Sequence, residues 1–305
     1  VTKERPQNIP SSVRQRLQMQ ARHRMEEFHF ILTRYAVERL LYRLTSSPHR
    51  DIFVLKGAML FLVWTGQAHR PTKDLDLLGS GDPSQERFLA IFQEICVQSV
   101  ENDGLVFDPA TVRVEPIKED QEYEGWRVLT VATLERARIR LQIDIGFGDA
   151  VIPVPSTVEF PTLLEFAAPV LRAYSRDTVV AEKYQAMVSL GIANSRMKDF
   201  FDLWVLACGF TFDGRTLSAA IQATFERRKT VLPVEVPLAW TPKFHDDPSK
   251  KLQWQGFIKR SKLTATDMSL AEIAIAIRDF LIPPTTALIA GIRFEKAWKP
   301  GGPWE

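Results

Sequence analysis

Asp74 and Asp76 stand one residue apart, shortly after a Leu55-Lys56-Gly57-Ala58 turn. On a strand, successive side chains alternate faces, so both carboxylates project to the same side. Like charges held that close repel, and the pair persists most easily with a divalent cation between them. Leu75 and Leu77 fall on the other face, which makes Thr72 to Leu78 a half-buried strand with one wet edge. A glycine turn upstream lets backbone N–H groups approach a phosphate closely. The chemistry these residues suit is a joint metal and nucleotide site. The alternative is an Asp-x-Asp pair on a solvated strand face.

A third carboxylate, Asp144, lies in a segment that alternates cleanly from Ala137 to Phe147. Ile139, Leu141, Ile143 and Ile145 take one face, and Arg138, Arg140, Gln142 and Asp144 take the other. Asp144 either completes the metal site or pairs with Arg140 along its own strand. Lys183 shares a helix face with Val180, Tyr184 and Met187, where an ammonium is not expected. Held inward it can clamp a triphosphate; otherwise it snorkels or pairs with a surface carboxylate. Asp199 and Asp202 share a helix face with Arg196 and could orient Lys183, Arg70 or a base. Arg196 and Asp199, at i and i+3, also read as a surface ion pair.

The elements that must position these groups follow from periodicity. Met25 to Thr45 is a long amphipathic helix with Arg34, Arg39 and Arg43 interleaved among its apolar residues. Asp51 to Leu55 is a short buried strand ending at Gly57, and Met59 to Trp64 a helix or turn-rich connection. Asp82, Pro83 and Gln85 start a helix that runs to about Val100. Thr111 to Pro116, Trp126 to Thr133 and Ala137 to Phe147 read as strands. Beyond the proline-bearing segment Ile152 to Pro161 the pattern turns helical, over Asp177 to Leu190, Met197 to Cys208, Gly214 to Arg227 and Met268 to Leu281. The expected fold is mixed α/β: N-terminal helices and a core sheet in residues 1–155, then a mostly helical lobe, 156–305, contributing Lys183 and Asp202 to the cleft.

The chain has 305 residues, 45% of them hydrophobic and 25% charged, ordinary for a globular protein that folds without staples. Its 39 basic and 37 acidic side chains nearly cancel, which excludes a uniformly basic nucleic-acid coat but not local patches. Such patches are Arg227-Arg228-Lys229 and the mixture of Lys250, Lys251, Trp254, Phe257, Lys259, Arg260 and Lys262. The mixture either grips phosphate and stacks a base or is a solvated helix face over buried aromatics. The first ten residues are polar and no apolar run reaches membrane-spanning length, so neither a secretory signal nor an anchor is expected. Cys96 and Cys208 suit reduced, buried thiols in a cytoplasmic protein. The five histidines show no zinc spacing, and no Gly-Lys-Ser/Thr phosphate loop exists.

Five stretches together resemble one family: Phe53 to Leu60, Arg70 to Leu77, Leu141 to Ile145, Glu182 to Ala186 and Arg196 to Leu203. The sequence is similar to the AbiEii/MenT group of toxin nucleotidyltransferases within the DNA polymerase β-like superfamily. The resemblance implies an enzyme that moves a nucleoside monophosphate from a triphosphate onto an RNA hydroxyl, with the tRNA 3′ end as acceptor, and a cognate antitoxin in a toxin-antitoxin or phage-defence system. It implies Mg²⁺, or Mn²⁺, on Asp74, Asp76 and Asp144, and nucleotide contacts from Lys56, Gly57, Ala58, Arg70, Thr72, Lys183 and Asp199, with Asp202 beside them. In-line displacement at phosphorus is helped by ions that neutralise the triphosphate, and carboxylates are the ligands Mg²⁺ prefers. Ala58 departs from the serine or second glycine common in the wider superfamily, which leaves main-chain donors or Lys56 to grip phosphate. Two rivals remain: transfer to a protein or small-molecule hydroxyl, and a nucleotide-binding module without catalysis.

Overall fold

The computed structural model describes residues 8–117, 125–263 and 268–305; the first seven residues of the polar N-terminal stretch lie outside them. The chain divides into two compact units, Val1–Gly148 with Ser156–Ala173, and Asp149–Pro155 with Tyr174–Glu305. Among the described residues no helix is long and apolar enough to cross a membrane.

The first unit opens with α1 (Ile9–Arg24), capped by the Asn8 side chain and closed by Met25 in the left-handed region at φ 54°. That turn is why the helix expected from Met25 begins only at Phe28, as α2 (Phe28–Thr45). There follow β1 (Phe53–Lys56), α3 (Leu60–Thr65), β2 (Asp74–Gly79), α4 (Gln85–Val97), β3 (Leu105–Phe107), β4 (Arg113–Ile117), β5 (Gly125–Leu134), β6 (Ala137–Phe147), β7 (Ser156–Glu159) and β8 (Val170–Ala173). The expected cap of α4 is not formed. Asp82 accepts from the Ser84 hydroxyl at 2.9 Å, and Gln85 reaches sideways to the Val114 carbonyl at 2.7 Å.

The strands make one eight-stranded mixed sheet in the order β3-β5-β6-β2-β1-β8-β7, with β4 also on β5. β2 runs parallel to β6 and β1 to β8, and the remaining pairs are antiparallel. Leu75, Leu77, Ile143 and Ile145 are fully buried on one face of the central strands. The mixed α/β architecture with N-terminal helices agrees with the sequence reading.

The interleaved arginines of α2 are not a wet stripe. Arg34, Arg39 and Arg43 are buried, as is Glu38. Asp103 explains two of them: it accepts from Arg39 Nε at 3.0 Å and from Arg43 Nη1 at 2.6 Å and Nη2 at 3.1 Å. Arg39 also donates to the Ala167 carbonyl at 2.8 Å. Glu38 accepts the Leu163 backbone N–H at 2.8 Å. Burial pushes the Glu38 carboxyl up from 4.5 to about 7, against the Leu163 hydrogen bond and the charges of Arg39 and Arg34.

The second unit is mostly helical: α5 (Arg176–Leu190), α6 (Met197–Gly209), β9 (Phe212–Asp213), α7 (Gly214–Arg227), α8 (Pro242–His245), α9 (Pro248–Ser261), α10 (Leu270–Ile289) and β10 (Ala297–Trp298). The helix expected to stop at Leu281 continues through Pro283 and Pro284. Pro284 has no N–H for the Phe280 carbonyl, and Trp304 Nε1 donates to that oxygen instead, at 2.9 Å. Trp254 and Phe257 of α9 are core residues, and the Lys250 ammonium is buried on the Asn194 carbonyl at 2.8 Å. The second reading of this mixture therefore holds, with Lys259 and Arg260 exposed around buried aromatics. Cys96 is buried as expected, but Cys208, near the end of α6, is exposed.

Removing one partner of a buried ion network strands the others. Asp103→Ala is expected to cost about 3–5 kcal/mol in urea unfolding, and a loss below about 1 kcal/mol would exclude Asp103 as the anchor of α2. An acid whose folded pKa lies above its unfolded value contributes stability that is complete below the unfolded pKa and declines as pH rises through the folded one. Glu38→Gln should therefore flatten the decline of the unfolding midpoint between about pH 5 and 8. An identical pH profile in the two proteins would contradict a raised Glu38 pKa.

Candidate active site

Register across the first unit's sheet aligns the acids. Lys56 lies opposite Asp76, Asp76 opposite Asp144, and Asp144 opposite Arg127. Paired residues on neighbouring strands share a face, so these four side chains form one row, with Asp74 beside Gln142 in the next. The alternating burial of β2 and β6 fixes which face this is, because the intervening leucines and isoleucines are in the core. Asp74 is exposed and Asp76 half-buried.

Gly57 follows β1 at φ +74°, a conformation that favours glycine. A Cβ there would fall 1.9 Å from Asp76 Oδ2, so the turn backbone packs directly on that carboxylate. Ala58 is buried behind the turn, while Lys56 and, before β2, Arg70 and Thr72 are half-buried. The turn and the Asp-x-Asp strand are thus joined at one point.

Asp144 pairs with Arg127 rather than with Arg140. Arg127 Nε and Nη2 donate to its two oxygens at 2.8 and 2.9 Å, and Gln142 Nε2 lies 3.3 and 3.2 Å from them. The bond to Asp144 holds the Arg127 guanidinium above its ordinary pKa, with the Asp74 charge adding to it. Arg127 was not singled out from sequence. Its signal was the two-residue β5–β6 connection: with Leu134 opposite Ala137, Arg127 must meet Asp144.

Lys183, Asp199 and Asp202 come together in the second unit. Lys183 Nζ on α5 lies 2.7 Å from Asp199 Oδ1 and 2.8 Å from Asp202 Oδ2, both on α6. The two carboxylates are buried, so Lys183 neither snorkels nor meets a surface acid. Arg196 Nε approaches Asp199 Oδ2 at 2.7 Å, an ion contact without hydrogen-bond geometry. Burial alone would raise the Asp199 carboxyl, but Lys183 and Arg196 overcome it and hold the group below its ordinary value. The anticipated i, i+3 pair exists, but its acid is in the core. Arg228, by contrast, leaves the expected basic run to bind Asp149 and Gln185, each at 2.9 Å.

The donor set of Asp74, Asp76 and Asp144 is all oxygen and faces one way, which fits a hard divalent cation in type. Among the described residues no group of three or more metal-binding side chains is gathered closely enough to hold one. Both oxygens of Asp144 accept from Arg127.

In comparison with known proteins, the family model described as "Nucleotidyl transferase AbiEii toxin, Type IV TA system" matches residues 39–282. No curated protein matches. Among solved structures the chain is similar to a candidate nucleotidyltransferase from H. pylori, at 16% identity and TM-score 0.47 over 84% of this chain and 94% of that one. It is also similar to JHP933 from Helicobacter pylori, at 18% identity and TM-score 0.46 over 83% and 93%. With the family match spanning the sheet acids and most of the helical unit, the chain belongs to the AbiEii family of nucleotidyltransferase toxins.

Proposed function

We propose that the protein transfers a nucleoside monophosphate from a nucleoside triphosphate to an RNA hydroxyl, with the 3′ end of tRNA as the acceptor. The observation that carries the reading is the row Lys56, Asp76, Asp144 with Gly57 packed on Asp76. It combines an oxygen-rich metal face with a glycine turn whose N–H groups suit a phosphate.

Asp74 and Asp76 would hold Mg²⁺ or Mn²⁺, with Asp144 as the third ligand once Arg127 turns away. A divalent cation bound there would supply charge neutralisation of the triphosphate and acidification of the attacking hydroxyl. Asp144 is the residue assigned to take that proton. Backbone donors at Gly57 and Ala58, with Lys56, grip the β and γ phosphates; Arg70 and Thr72 line the nucleotide. Lys183 is assigned a phosphate of the nucleotide, and Asp199 and Asp202 hold its ammonium in one rotamer. A cognate antitoxin is the expected partner, in a toxin-antitoxin or phage-defence setting.

Incubation of the purified protein with each labelled nucleoside triphosphate, Mg²⁺ and total RNA tests this reading. Label in tRNA is the expected result; label confined to protein or a small molecule, or no transfer at all, overturns it. Asp76→Ala should lower labelling by at least about 100-fold and abolish toxicity on induced expression, and equal toxicity would separate growth arrest from this chemistry. Gly57→Ala should lower labelling by about 10–100-fold with an unchanged circular dichroism spectrum, because the added methyl displaces Asp76. Wild-type activity in that variant would show that the contact between turn and carboxylate is dispensable.

A further inference from the structure

The face that carries the acids changes sign along β6. Arg140 and Arg138 continue the polar side beyond Gln142, opposite Val131 and Thr133 of β5. Both are exposed, while Ile139, Leu141 and Ile143 are buried on the reverse side. Leu129, Val131 and Thr133 lie half-buried beside them as a mostly apolar floor. Across β5, exposed Arg113 stands opposite Leu129.

Several surface arginines have a carboxylate partner: Arg14, Arg50, Arg215 and Arg278 pair with Glu135, Asp51, Glu295 and Asp279 respectively. No carboxylate among the described residues pairs with Arg138 or Arg140. The two are separated by about 7 Å at the rise of a strand, close enough to repel. An anion with charges spaced along its length relieves that repulsion along the whole face. The apolar floor between the cations suits riboses and bases, and guanidinium groups suit phosphate oxygens.

We infer that the open face of β5 and β6 is the track for the phosphodiester backbone of a single-stranded RNA acceptor. The reacting hydroxyl lies at the acidic end, and Arg140 and Arg138 grip phosphates about 14 and 20 Å behind Asp144, at a rise of about 3.4 Å per residue. This rests on the RNA acceptor proposed above, and it adds where the strand lies and which way it runs.

The test is fluorescence anisotropy of an end-labelled oligouridylate with the full chain, without nucleotide or metal, over a series of salt concentrations. Arg138→Gln/Arg140→Gln should weaken binding at least about 10-fold at low salt and reduce the slope of log K against log salt by about 1.4, the value for two lost phosphate contacts. The control Arg215→Gln/Arg278→Gln should bind as the wild type does. Unchanged affinity and slope in the Arg138/Arg140 variant overturns the track, as does wild-type protein that fails to bind the strand or binds only a duplex of the same length. A charge-reversed pair, Arg138→Glu/Arg140→Glu, with an unchanged thermal midpoint must bind more weakly still. Labelling of RNA by the wild type is scored separately. If binding falls as expected while no nucleotide is ever transferred, the transfer reading fails and the track stands; if transfer occurs and binding is indifferent to these arginines, the reverse holds.

Discussion

Strand register is the constraint on which the site depends. Asp144 reaches Asp76 only because β6 lies parallel to β2 with Ile143 opposite Leu75 and Ile145 opposite Leu77. Those four side chains are completely buried, and burying each is worth about 1.5–3 kcal/mol. A slip of one residue would turn Asp144 into the core and both isoleucines toward water. The apolar face thus fixes the polar one. The same register, carried through the β5–β6 hairpin, delivers Arg127 to Asp144 and lines up Arg140 and Arg138 behind it.

The chain uses charge in two settings. Against α2, the acid Asp103 sits between two arginines; in the second unit, a lysine sits between two aspartates. Both groups are almost dry, so each member holds the others against a large desolvation penalty and none can be exchanged cheaply. The Arg127–Asp144 pair is different. Its side chains are 34% and 21% exposed, which lets water screen the pair and lets another ion compete for either partner.

The parts legible in the sequence were those set by local period. The alternation of β6, the Asp74/Asp76 pair and the glycine before them could be read directly, as could Lys183 on an apolar helix face near two acids. What escaped depended on partners distant in sequence. The amphipathic pattern of α2 gave no sign that Arg39 and Arg43 are buried, because Asp103 lies in a loop beyond α4. α10 was expected to stop at Leu281, before its prolines, because the indole that replaces the hydrogen bond missing at Pro284 is at the other end of the C-terminal segment. For Asp144 the sequence offered the metal site or, as the alternative, Arg140 on its own strand; but on a strand the cross-strand neighbour is closer than the residue four along, and Arg127 is that neighbour.

This last correction changes how the acidic pair itself is understood. Close carboxylates require a counter-charge, and from the sequence a metal ion was the natural source. The sheet supplies part of it internally: Arg127 binds Asp144, and Lys56 stands opposite Asp76 in the same row. The row therefore reads plus, minus, minus, plus from β1 to β5. A divalent ion bound at Asp144 would have to compete with Arg127 for the same two oxygens.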